Sequence, residues 1–218
     1  MLRSVRLALV LLLLVAVPGS AQIFHKKKKS YPPFALHRNL VVDLQPLPQV
    51  VAKQKCGNWA WAAALETALR AQGVALDQTF WILRLNNGEL CLDSAGTPED
   101  LIRYLERDPH FLDNGKKVQL HVLWVPGPPT AMDLLIRSVQ LNRPIIVFWR
   151  GRARVLSGVT YDESVSTTGD RIFDAREMRM IDLYAPPTDP TRVATFVKGT
   201  DNLAEFTGTM QVQVVQVP

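Results

Sequence analysis

The stretch Gln54-Lys55-Cys56-Gly57-Asn58-Trp59-Ala60-Trp61-Ala62-Ala63-Ala64-Leu65-Glu66 comes closest to a catalytic pattern in this chain of 218 residues. The chemistry such a stretch serves is thiol catalysis. A cysteine at a helix N-terminus is held as a thiolate by the helix dipole and unpaired backbone N–H groups, and a nearby amide must face the oxyanion that forms during attack. Gln54 supplies such an amide six residues before Ala60, where Trp59, Trp61 and the alanines open an apolar helix. The helix start itself carries alanine, which cannot attack a carbonyl.

The pattern resembles the active-site helix of papain-like cysteine peptidases, in which a Gln stands six residues before the nucleophile. Secreted bacterial members have a motif like Asn-Trp-Cys-Trp-Ala-Ala, and Asn58-Trp59-Ala60-Trp61-Ala62-Ala63 matches it with only the sulfur missing. The family's general base follows a Lys/Arg-Pro-apolar strand, in a Gly-His-apolar run. Here Arg143-Pro144-Ile145-Ile146-Val147-Phe148-Trp149 is followed by Gly151-Arg152-Ala153-Arg154-Val155, so the resemblance puts Arg152 at the histidine position. Asp182, in Met178-Arg179-Met180-Ile181-Asp182-Leu183, falls where the family orients the imidazole. A guanidinium stays protonated at any physiological pH and cannot serve as base.

The resemblance thus implies the frame of an enzyme without its chemistry. It implies a papain-like α+β fold, with an N-terminal helical lobe packed on a C-terminal antiparallel barrel-like sheet. The degenerate site is Gln54, Ala60, Arg152 and Asp182, with Arg152 paired to Asp182. Asn58, Trp59 and Trp61 are candidates for lining an interlobe groove that binds a peptide or protein segment without cutting it. Gln54 and the backbone of Ala60 would offer donors to a bound carbonyl. No cofactor is implied.

The N-terminus bears on the cysteines. Arg3 and Arg6 precede an apolar run from Leu7 to Val17, and Pro18-Gly19-Ser20-Ala21 offers small residues for cleavage. This reads as a signal peptide over 1–21, too short for a membrane anchor, with Gln22 as the mature N-terminus of an exported chain that has no transmembrane anchor. Residues 22–46 read as a basic, Pro-containing extension and 47–218 as the domain. The run Lys26 to Lys29 is expected to be a solvated tail, and no nucleic acid is expected as partner. Cys56 and Cys91 are the only cysteines. An even count in an oxidising compartment makes a disulfide the default. The resemblance points the same way, since the family ties a Cys just before the nucleophile to one some 40 residues later. In the competing reading Cys56-Gly57 is itself the nucleophile of an active peptidase, as in bacteriocin-processing relatives.

The elements that must position these groups follow from periodicity and punctuation. Helices are expected over Trp59 to Gln72 with a Gly73 stop, over Asp77 to Leu85 with Asp77 as N-cap, from Thr97-Pro98 onward, and over Ala131 to Gln140 with Thr130 as cap. Strands are expected at Val118 to Trp124, Ile145 to Trp149, Arg154 to Thr160, Arg179 to Leu183, Val193 to Lys198 and Met210 to Val217.

Other chemistries find no support. His25, His37, His110 and His121 are scattered with no i, i+4 pair, so no metal site is expected. His121, alternating within a strand, is the one histidine placed to be weighed as a displaced base. No phosphate loop or serine elbow is present.

Overall fold

The computed structural model describes residues 34–45, 51–85, 91, 98–112, 114–185, 189 and 192–217. The expected signal peptide and the Lys26 to Lys29 run lie outside the described residues.

Among the described residues the chain combines four α-helices with an eight-stranded antiparallel sheet, a mixed α+β arrangement. Helix α1 (Ala60–Arg70) is built from the alanine-rich run, and its residues from Trp61 to Leu69 are buried. It ends where Gly73, at φ +78°, turns the chain, with Gly73 N–H donating to Arg70 O (3.0 Å) and Val74 N–H to Leu69 O (2.9 Å). This is the double bond of a glycine-terminated helix. Helix α2 (Gln78–Leu85) is capped by Asp77, whose Oδ1 accepts from Thr79 N–H at 2.8 Å. Helix α3 (Pro98–Arg107) has Glu99 and Asp100 in its first turn and buries Leu101 and Leu105. Helix α4 (Met132–Gln140) departs from expectation at its start: Ala131, not Thr130, is the N-cap residue, and no side chain caps it.

The strands are β1 (Phe34–Asp43), β2 (His110–Phe111), β3 (Lys117–Pro126), β4 (Ile145–Trp149), β5 (Arg152–Ser166), β6 (Arg171–Ile181), β7 (Val193–Val197) and β8 (Phe206–Val217), in the order β2-β3-β8-β4-β5-β6-β7. Strand β5 is the spine. Along one edge it pairs with β4 through Arg152 to Leu156 and then with β1 through Gly158 to Ser166, while β6 runs along the other edge. Three consecutive residues of β4, Ile145, Ile146 and Val147, are buried. Side chains alternate between faces, so both faces of β4 are covered, and α1 and α4 are the helices that pack on it.

Two expectations are corrected here. The sheet is an open path and not a barrel, because its terminal strands β2 and β7 do not pair; β2, at two residues, is too short to close it. The boundary at residue 47 also leaves out β1, ten residues assigned from sequence to the extension. They form a strand because Leu40 and Val42 alternate inward beside β5, a partner long enough to serve both β4 and β1.

Candidate functional site

Asp182 follows β6 directly, and its neighbour Leu183 accepts the backbone N–H of Gln54 at 2.9 Å. That bond places the loop before α1 against the end of β6. The Gln54 side chain then turns into its own loop, with Nε2 donating to Cys56 O and Gly57 O, both at 2.6 Å. Cys56 O also accepts Trp59 N–H at 3.1 Å, one residue before Ala60 begins the helix. The backbone bond thus joins the Gln54 loop to the residue after Asp182, and Ala60 follows that loop in the chain.

Arg152 approaches Asp182 from the β4–β5 hairpin. The two turn residues, Arg150 (φ +50°) and Gly151 (φ +69°), both lie in the left-handed region, as a tight hairpin of this twist requires. The turn opens β5 with Arg152 and Arg154 on one face, two residues apart. Each guanidinium lies 3.7 Å from Asp182 Oδ2, Nη1 in Arg152 and Nη2 in Arg154. Both separations exceed hydrogen-bond length, so one carboxylate is shared by two cations that it does not saturate. Asp182 Oδ1 accepts Tyr184 N–H at 3.0 Å, which fixes the carboxylate in a short turn.

Arg154 differs from Arg152 in burial. It is 8% exposed, donates from Nη1 to Trp149 O, and sits 5.3 Å above the Trp149 ring. Burial lowers its pKa; Asp182 opposes that, while the charges of Arg152 and Arg150 add to the lowering. The group stays charged, since a guanidinium starts far above neutrality. Arg150 has its own counterions, Asp201 at 3.0 Å and Glu205 at 2.8 Å, and stacks on the Trp149 ring at 4.2 Å.

Several assignments change. With both N–H bonds of its amide committed to Cys56 O and Gly57 O, Gln54 offers no free donor to a bound carbonyl. Trp59 and Trp61, 2% and 4% exposed, are core residues and line no groove, because an aromatic next to an alanine helix fills volume that the alanines leave. Asn58 is exposed. Cys56 is bonded to Cys91, so the alternative nucleophile has no thiolate. His121 is exposed on β3, separated from β5 by β8 and β4, too far to reach Asp182.

The N-terminus of α1 has no side-chain cap. Beside Gln54 lies a cavity of about 450 Å³ lined by Lys53, Gln54, Lys55, Glu66, Arg70, Asp77 and Gln78. Its floor is the buried Glu66, which binds Arg70 through one oxygen and Gln78 through the other, by N–H at 3.1 Å and Nε2 at 3.0 Å. Sequence reading missed Arg154 and this Glu66 network. The i, i+2 spacing of two arginines in a strand was the available signal for the first; the second had none, because Gln78 reaches Glu66 from another helix.

Among the described residues no three His, Cys, Asp or Glu side chains group to hold a metal, and no helix is long and apolar enough to cross a membrane. No protein-family model, curated protein or solved structure matches the chain.

Proposed function

We propose that this is an exported, non-catalytic protein on a papain-like frame, which binds a peptide or protein segment at the position where a cysteine peptidase would cut one. The observation that carries the reading is chemical: Ala60 stands where the nucleophile belongs and Arg152 where the base belongs, and the latter is paired with Asp182 at 3.7 Å. Neither residue can transfer a proton or attack a carbonyl. The α+β order supports the frame, since an alanine-rich helix precedes the strands that carry the other two positions. The disulfide supports export, because such bonds persist in oxidising compartments. It also argues against the reading in which Cys56 is the nucleophile.

Two measurements test this. Incubation of the mature protein with fluorescently quenched peptide libraries and casein is expected to release no signal above buffer. A spread of peptides on an array is expected to retain the protein reproducibly on a subset of sequences. Cleavage that disappears on Cys56→Ala would replace the proposal with a working thiol peptidase.

A further inference from the structure

Around Trp149 three arginines meet three carboxylates, but the charges are not evenly matched. Arg150 takes Asp201 and Glu205. Among the described residues, Arg152 and Arg154 are left with Asp182 alone, at 3.7 Å from each. Two positive charges face one negative charge, and neither arginine makes a hydrogen bond to it. Arg154 is more than nine-tenths buried, and its Nε–H has no hydrogen-bond partner among the described residues. Leaving a buried charged donor unpaired is costly, so added negative charge beside this guanidinium would offset part of that cost. The Arg152 side chain is 54% exposed, so the cluster opens to solvent on that side.

We propose that Arg152 and Arg154 form a carboxylate-recognition site, taking either an acidic side chain or the free C-terminal carboxylate of a bound peptide. Guanidinium groups present planar, paired donors that match a carboxylate's two oxygens, and such charge-assisted bonds are the stronger kind. Asp182 acts as the resident counter-anion: its charge, fixed by its turn, holds the two arginines nearby without spending their donors. The inference rests on the peptide-binding reading above and specifies which peptides that site selects.

The test uses ¹⁵N-labelled mature protein, titrated to millimolar concentration with three probes: acetyl-Ala-Ala-Glu-Ala-amide, acetyl-Ala-Ala-Gln-Ala-amide and acetyl-Ala-Ala-Ala-Ala with a free carboxylate. The expected result is saturable shifts at Arg152, Arg154 and Asp182 with the Glu probe, the free-carboxylate probe or both, and none with the Gln probe. Which charged probe wins separates side chain from chain end. Arg152→Gln is expected to weaken binding at least about tenfold, as loss of a charge-assisted bond does. Asp182→Asn, which keeps the oxygen that Tyr184 N–H uses, is expected to strengthen it by removing the competing charge. A purely structural ion pair would give weakening in both variants, and that result overturns the inference. Equal shifts from the Gln and Glu probes overturn it too, while leaving peptide binding standing. No shift from any probe overturns both.

Discussion

Asp77 shows how a single side chain in this protein serves three donor groups on two residues. Its carboxylate caps α2 through Thr79, takes the Thr79 hydroxyl at 2.6 Å, and holds Lys55 Nζ at 2.7 Å. Burial pushes its pKa up, but the Lys55 and Thr79 bonds outweigh that and bring it down to about 2. A carboxyl with a lowered folded-state pKa adds stability above its unfolded value, near 3.8, and loses it as pH falls through 2. Asp77→Asn, which still caps, is therefore expected to destabilise at pH 7 and to cost progressively less as urea melts are repeated toward pH 2. At Ala60 the expectation concerns reactivity. The thiol introduced by Ala60→Cys sits at an uncapped helix start, and its iodoacetamide rate is expected to titrate below the roughly 8.5 of a free thiol. Of the residues in this region, Ala60 and Asp182 stand out in the sequence only through the resemblance that their chain neighbours carry. Arg154 is not marked that way, because its meaning depends on Asp182 arriving from the end of another strand.

The elements are held by contacts that close their ends and edges. The turn that ends helix α1 reaches across to β8 through Gln72, whose Nε2 donates to Val212 O at 2.8 Å and whose Oε1 accepts Val214 N–H at 3.0 Å. These backbone groups lie beyond the end of β4, so one carboxamide stands in for the missing strand. Gln72→Ala is expected to cost about 1–3 kcal/mol by urea denaturation, the penalty of buried backbone groups left unpaired. The open edges are guarded by carboxylates: Glu106 Oε1 takes Val122 N–H on β3, past the two residues that β2 covers, and Asp201 Oδ2 takes Val197 N–H on β7, both at 2.7 Å. A side chain on an edge donor leaves no template for another chain to pair with. Glu106→Ala is expected to raise concentration-dependent aggregation, measured by light scattering, more than it lowers stability. At Gly208 an added Cβ would run into the Trp124 ring, so Gly208→Ala is expected to loosen β3 against β8 by about 1–3 kcal/mol. The element types were legible because hydrophobic period and punctuation are local. Strand β1 was not legible as a strand. The long β5–β6 hairpin was only partly legible, because charged residues such as Glu163, Arg171 and Arg176 break the apolar alternation. In the fold they pair with one another across strands, Glu163 with Arg171 at 3.2 Å and Asp162 with Arg176.

At the scale of the molecule, the disulfide ties the loop before α1 to Cys91, 35 residues later. Closing a loop of that length stabilises by about 3–4 kcal/mol on chain-entropy grounds. The double variant Cys56→Ser/Cys91→Ser is expected to lose about that much in urea melts, and both thiols of the native protein are expected to resist alkylation until reduced. The sequence by itself determined the four helices and the strands from β3 onward in outline, the pairing of its only two cysteines and the absence of a thiol at position 60, because each depends on residue identity and short spacing. Tertiary structure alone decided that the sheet stays open, that β1 belongs to it and that Gln54 is spent on its own loop. It also decided that Asp182 is shared by two arginines. Each of these turns on which atoms from distant segments come within bonding reach, and chain spacing does not encode that distance.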